Sequence, residues 1–192
     1  MKIELWRMTP EPETLVAEAY GICTNKNVPV ENIQRWIKMG HESPLEHASA
    51  SVLIEGISRA CLAQLTRHRL ASFSVQSMRY VDVGENPDVF PPAIRDNVAA
   101  MELTDYFFNL AENAYKNLIV LGIKKEDARF VLPLATTTSL IMTANFREWR
   151  HVIELRTNKK AQWEIRELAE KILAILVEAA PAVFSDLSQG KE

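Results

Sequence analysis

Residues 67–80 read Arg67-His68-Arg69-Leu70-Ala71-Ser72-Phe73-Ser74-Val75-Gln76-Ser77-Met78-Arg79-Tyr80. Hydrogen-bonding side chains alternate with apolar ones, and no carboxylate stands among them. Three arginines with interspersed serines suit an oxyanion, above all a phosphate. Guanidinium forks match phosphate bidentately and hydroxyls add neutral donors. Each hydrogen bond to a charged group contributes about 1.5–3 kcal/mol. If the segment is extended, its residues alternate sides. Phe73, Val75 and Ser77 then share one side with Arg79, and Ser74, Gln76, Met78 and Tyr80 share the other. The alternative is an arginine-rich surface hairpin, which would have no use for the serines.

A second polar concentration follows Asn145. On a helix starting there, Trp149, Val152, Ile153 and Arg156 fall at i, i+3, i+4 and i+7, so Arg156 extends an apolar stripe. A buried arginine must be paired, by a carboxylate of the chain or by a ligand. The opposite stripe, Arg147, Arg150, His151 and Glu154, is polar and either lines a site or faces water. Arg129, close to Glu126 and Asp127, reads equally as an ion pair or as a ligand contact. The turn Gly40-His41-Glu42-Ser43-Pro44-Leu45-Glu46-His47 holds two histidines and two glutamates. Its histidines are six apart where a helical zinc pair wants four, so we expect no metal.

Charge singles out the same two regions. Residues 56–81 carry four arginines and no acid, a balance of +4, and residues 145–166 carry six bases and three acids, a balance of +3. Against a total of −3, the remainder of the chain carries −10. An acidic chain with two basic islands is a poor general nucleic-acid binder, which wants a basic domain. It better suits a small anion held where the islands meet.

The elements that position these residues can be sketched from periodicity. Strands are expected at 2–8, 48–55 and 134–144, with 73–83 extended. Helices are expected at 13–23, 29–39 (stopped by Gly40), 58–68 (capped by Ser58) and 125–130. A long helix at 91–121 carries Leu103, Tyr106, Phe107, Leu110, Ala114 and Leu121 on one stripe. Asn145 caps a helix to about residue 155. The last helix, 161–180, keeps the 3.6 period through Ile165, Leu168, Ala169, Ile172, Ile175, Leu176 and Ala179, with Glu167 and Lys171 paired outside. A few strands among more helices make an α+β protein.

With 192 residues, 47% apolar and 24% charged, the chain is expected to form a single domain, 1–192, with its own core. No apolar run reaches membrane-spanning length, and the first residues lack a signal peptide's apolar centre, which points to the cytoplasm. Cys23 and Cys61 read as small buried hydrophobes in a reducing compartment.

Four ordered blocks carry a resemblance over about residues 1–184. They are the 40–47 turn, Arg67-His68-Arg69 then seven residues then Ser77, the segment Asp127-Ala128-Arg129-Phe130-Val131-Leu132-Pro133, and Asn145-Phe146-Arg147 through Leu155-Arg156 to Ala161-Gln162-Trp163-Glu164-Ile165. Together they resemble the flavin-dependent thymidylate synthases (ThyX family). The resemblance implies an antiparallel sheet flanked by helices in a single domain. It implies a homotetramer with sites shared between subunits. The reaction it implies turns dUMP into dTMP with 5,10-methylenetetrahydrofolate as carbon donor, NADPH as reductant and FAD as bound cofactor.

Carried over by position, Gln64, Arg67, Val75, Gln76, Ser77, Met78, Arg79, Arg129 and Arg156 would hold dUMP. Arg156 would be catalytic, stabilising negative charge at uracil N3 and O2 so that C5 becomes the nucleophile. His41, Ser43, Arg67, His68, Arg69, Asn145, Arg147 and His151 would hold FAD. No protein nucleophile is needed, and Ser77 reads as a ligand-binding hydroxyl. Ser74 stands where many members have Asn, and Val75 where many have Glu. Valine offers no carboxylate, so a role for Val75 falls to its backbone. A non-catalytic nucleotide-binding relative is the alternative reading.

Overall fold

The computed structural model describes residues 1–81 and 88–188. Four strands form one antiparallel sheet: β1 (Lys2–Met8), β2 (Ser49–Ser58), β3 (Ser72–Val75) and β4 (Thr137–Asn145), in the order β1-β2-β4-β3. Alternation decides which side is packed. Ala50, Val52 and Ile54 of β2 and Leu140, Met142 and Ala144 of β4 are buried, while Ser51 and Thr143 between them bond each other across the half-exposed side. Onto the buried side pack α1 (Pro12–Thr24), α3 (Arg59–Leu65), α7 (Phe146–Arg156) and α8 (Trp163–Ala179). The architecture is α+β, an antiparallel sheet flanked by helices.

Two caps form as their sequences require. The Ser58 hydroxyl accepts from the Cys61 N–H and starts α3 as β2 ends. The Asn145 side chain accepts from the Glu148 N–H and starts α7 as β4 ends. Each basic island therefore begins where a strand of the central pair turns directly into a helix. Glu164 of α8 reinforces the first junction, accepting from Ser58 N–H at 2.7 Å and from its hydroxyl at 2.5 Å. On α7, Trp149, Val152 and Ile153 are buried, and the Trp149 indole donates to the Ala50 carbonyl. Burial of side chains this size contributes about 1.5–3 kcal/mol each. α8 buries Ile165, Leu168, Ala169, Ile172 and Leu176 and pairs Glu167 with Lys171, as its periodicity predicts.

Elsewhere the structure departs from expectation. Residues 30–38 are a 3-10 turn (Val30–Asn32) followed by α2 (Ile33–Lys38), which Gly40 ends at a φ of +81°. β3 stops at Val75, and residues 77–81 turn back, with the Tyr80 and Val81 N–H groups both donating to the Ser77 carbonyl. The alternation of sides expected beyond Val75 therefore fails, and Asp82 and Val83 of that segment lie outside the described residues.

The expected long helix is broken into α4 (Pro92–Arg95) and α5 (Val98–Val120), because Asn97 leaves helical geometry to cap α5 through Ala100 N–H. α5 buries Ala111 and Tyr115 instead of its apolar stripe. Leu103 is 70% exposed, Tyr106 65%, Phe107 57% and Leu121 76%. Helical period reports an apolar face, not what covers it, and nothing described in this chain covers this one. α6 (Lys125–Ala128) and a 3-10 turn (Arg129–Val131) lead back to β4. Cys61 is buried as expected, but Cys23 is exposed. Among the described residues, no helix is long and apolar enough to cross a membrane.

Candidate active site

The turn after α3 and the polar side of α7 line an open cavity of about 850 Å3. Its lining includes Arg67, His68 and Arg69 from the turn and Asn145, Arg147, His151 and Arg156 from α7 and its cap. Ligand pockets fall in the same size range, roughly 300–1,000 Å3. Arg67 and Arg69 are exposed and form no ion pair among the described residues. His68 between them turns inward and is buried.

The floor of the cavity is a short chain of polar contacts. Arg156 donates from Nε to His68 Nε2 at 2.9 Å and from Nη2 to the Gln64 carbonyl at 3.1 Å. Since Nε2 accepts, the ring proton sits on Nδ1, which faces a Glu148 oxygen at 3.6 Å, too long for a direct hydrogen bond. Burial, with the charges of Arg156 and His151 beside it, pushes the His68 pKa down to about 4. The ring is neutral at physiological pH. Burial pushes the Glu148 carboxyl upward. Within the chain, the partners of Arg156 are thus not a carboxylate but a neutral imidazole and a carbonyl. Neither of these two partners carries a negative charge, and Arg156 shares the cavity lining with the carboxylates of Glu148 and Glu154.

The polar stripe of α7 divides. Arg147 reaches Glu46 at 2.5 Å and Glu42 at 3.5 Å, tying the 40–47 turn to the cavity rim. Arg150 is buried and clamps the carboxylate of Asp186 with two 2.7 Å bonds, a structural pairing of the chain's last described segment. His41 and Ser43 are not cavity-lining residues themselves but stand on either side of Glu42, which is. The His41 carbonyl accepts from the Tyr20 hydroxyl.

The remaining expected residues gather elsewhere. Gln76 is fixed by its N–H to the Ser139 carbonyl, Ser77 Oγ accepts from Arg79 N–H, and Arg79 pairs with Glu126 at 2.7 Å. Arg129 forms no ion pair with Glu126 or Asp127; its Nε donates to the Glu126 carbonyl at 3.1 Å. Met78 is half-buried in the same turn. Val75 opposes Leu140 in the sheet and packs its side chain on the core, so only its backbone is left for a ligand. This second cluster lies toward the start of α3, where Arg59 donates to the Gln76 carbonyl at 3.2 Å, while Gln64 and the cavity lie at its other end. Gln64 follows Arg59 by five helical positions, about 8 Å along the axis. Within one chain the expected residues fall into two basic clusters, one at each end of α3. Glu148, a cavity wall, was not among the expected residues. The wheel carries a signal for it, since it precedes Val152 by four and so borders the buried stripe.

A family model described as thymidylate synthase complementing protein matches residues 4–182. A flavin-dependent thymidylate synthase of Geobacter sulfurreducens is 41% identical over 207 residues, covering 99% of this chain and 88% of that one. The chain belongs to the flavin-dependent thymidylate synthase family. A flavin-dependent thymidylate synthase of Nitratidesulfovibrio vulgaris is 36% identical, covering 96% of this chain and 85% of the relative. Among solved structures, a UMP/dUMP methylase, PolB from Streptomyces cacaoi bound with 5-Br dUMP, superposes with a TM-score of 0.87 at 25% identity. That likeness covers 97% of this chain and 94% of PolB. As a flavin-dependent thymidylate synthase family member the chain is an enzyme of the methyltransferase class.

Proposed function

We propose that the chain, acting as one catalytic domain over residues 1–192, converts dUMP to dTMP. The carbon comes from 5,10-methylenetetrahydrofolate, the hydride from NADPH, and FAD is the bound flavin. A bond forms between uracil C5 and the one-carbon unit, whose bonds to the two folate nitrogens break to release tetrahydrofolate; the C5 proton leaves, and a hydride completes the methyl group. The chemistry supplied by bound FAD is hydride transfer. The chain's own part is positional and electrostatic. Arg156, held by two neutral partners, His68 and the Gln64 carbonyl, would present its cation to the uracil N3 and O2, where negative charge develops. That contact is the observation that carries the reading.

The donor set of the cavity fits FAD. Arg67 and Arg69, which form no ion pair among the described residues, would take a pyrophosphate; Asn145, Arg147 and His151 add donors along the same wall, His68 lies beneath them, and His41 and Ser43 stand at the rim. Gln64, Arg67 and Arg156 would hold the uracil end of dUMP, and the backbone of Val75 with Gln76, Ser77, Met78, Arg79 and Arg129 its other end. Two clusters at opposite ends of α3 make one site if a second copy supplies the second cluster. The uncovered stripe of α5 supports such an assembly, since exposed apolar patches of this kind mark interaction surfaces. The reading therefore includes a homotetramer with shared sites, working in the cytoplasm on small molecules, without nucleic acid, membrane or metal.

The visible absorption of the purified protein tests it. Flavin bands that shift when dUMP is added are expected. A colourless protein that takes up no added FAD would contradict the reading and favour a nucleotide-binding relative without catalysis.

A further inference from the structure

Glu148 lines the cavity but belongs to neither ligand set above. Its N–H donates to the Asn145 side chain at 2.9 Å, which fixes it three residues after the cap of α7. A glutamate at this position commonly reaches back to the N–H of the capping residue. Glu148 makes no such bond. It is only 5% exposed, and its carboxylate lies 3.6 Å from His68 Nδ1, with no other hydrogen bond or ion pair among the described residues.

This placement works against stability. Burial pushes the Glu148 carboxyl pKa up, and the charge of His151 offsets only part of that. A folded pKa above the unfolded value means that the ionised carboxylate costs stability once pH exceeds the unfolded value. An acid in the first turn favours the helix dipole, but that effect needs no burial. A structural role therefore does not account for the residue.

The ring beside it does. His68 is buried and neutral, and its Nε2 accepts from Arg156 Nε, so its proton sits on Nδ1 and faces Glu148. In the other neutral tautomer the Nδ1 lone pair would face the carboxylate, and Nε2–H would face the Arg156 N–H. Both contacts repel. At 3.6 Å the carboxylate acts through space, and the dry surroundings strengthen its field.

We propose that Glu148 is a positioning residue for Arg156: its carboxylate holds His68 in the Nδ1–H tautomer, so that Nε2 accepts from Arg156 and fixes the guanidinium toward the uracil. This rests on the dUMP reading above. Carboxylates orient metal-bound and general-base histidines by the same logic. Here the group oriented through the imidazole is a cation that meets the substrate.

The test measures kcat for dTMP formation at saturating FAD and substrates in Glu148→Met, which keeps the length and removes the charge. A fall of about 10- to 100-fold is expected, the range for losing a partner that orients a functional group from behind. FAD content, read from the visible spectrum, should hold. The urea midpoint should stay or rise, because a buried carboxylate is gone. Glu148→Gln, whose amide oxygen can still face Nδ1–H, should recover part of the loss. His68→Asn removes Nε2, and in that background Glu148→Met should lower kcat no further. Nitrogen NMR of labelled histidine should place the His68 proton on Nδ1 in the unsubstituted protein and show mixed tautomers in Glu148→Met.

A Glu148→Met protein with kcat within twofold of the unsubstituted protein overturns the proposal. So does an undiminished further loss in the His68→Asn background, which marks a role not routed through His68. A kcat that falls in step with FAD content and urea midpoint also overturns it, as structural support. If Glu148→Met does not fold, Glu148→Gln reads the same coupling to His68→Asn, and additive losses overturn the proposal. An unsubstituted protein that makes no dTMP from the complete mixture overturns the functional reading instead.

Discussion

Arg156 Nε donates to Nε2 of His68 across 2.9 Å, from the last turn of α7 to the turn that follows α3. The contact joins the two basic islands of the sequence and is made to an imidazole that stays neutral. It holds the guanidinium in place without neutralising it, as a group needs that must meet negative charge developing on a substrate.

If that charge is catalytic, its removal should strike turnover and little else. Arg156→Ala is expected to lower kcat by about 100- to 1,000-fold, the scale of losing one preorganised charge-stabilising group. FAD content, read from the visible spectrum, should persist. Unchanged turnover would make Arg156 structural.

The neutral His68 ties stability to pH. Its pKa is about 4 folded and near 6.5 unfolded, so the unfolded chain binds more protons between those values. The native state is therefore expected to lose stability as pH falls from 6.5 to 4, by on the order of 3 kcal/mol from this group. Urea midpoints measured across that range should show the slope, and His68→Asn should flatten it. Equal slopes for both proteins would mean that His68 is charged in the native state.

Arg150 and Asp186 are expected to act on stability alone. Arg150 is buried, and the Gln34 amide also donates to Asp186. Burial works against the carboxylate, but the Arg150 and Gln34 contacts prevail and hold its pKa below the usual range. Removing one partner strands the other, so Asp186→Ala should cost about 3 kcal/mol in chemical unfolding. The stabilisation it provides should be present above the unfolded carboxylate pKa and fade as pH falls through the lowered folded value.

The stripe on α5 makes a prediction about assembly. Tyr106→Ser combined with Phe107→Ser replaces two exposed rings by hydroxyls while leaving the buried Ala111 and Tyr115 face intact. Light scattering after gel filtration should report a smaller particle than for the unsubstituted protein. Far-ultraviolet circular dichroism should be unchanged, and turnover should fall with the shared sites. An unchanged particle mass would remove the stripe from the interface.

What the sequence makes legible is what local chemistry decides. Ser58 and Asn145 cap helices because side-chain oxygens reach N–H groups three residues on, and α8 buries the face that its 3.6 period marks. Arg156 falls beside the core because the α7 wheel puts it there. Pairings across the chain are not legible in this way: Glu164 on Ser58 spans 106 residues, and Glu46 on Arg147 spans 101. Val75 could be read by type but not by direction until β3 took its register on β4. The α5 stripe reads as core because a period carries no information about whether its cover lies in the same chain. The split of the basic residues into two clusters follows from the same blindness, since Arg79 and Arg129 meet through the Glu126 turn and not through sequence spacing.

Release of tritium from dUMP labelled at C5 tests the account most directly, because only bond formation at C5 followed by proton loss frees the label. With purified protein, FAD, NADPH and 5,10-methylenetetrahydrofolate all present, label should pass into water in step with dTMP formation, and omission of NADPH or folate should prevent dTMP formation. A flavin-loaded, folded protein that releases no tritium and makes no dTMP from the complete mixture would contradict it.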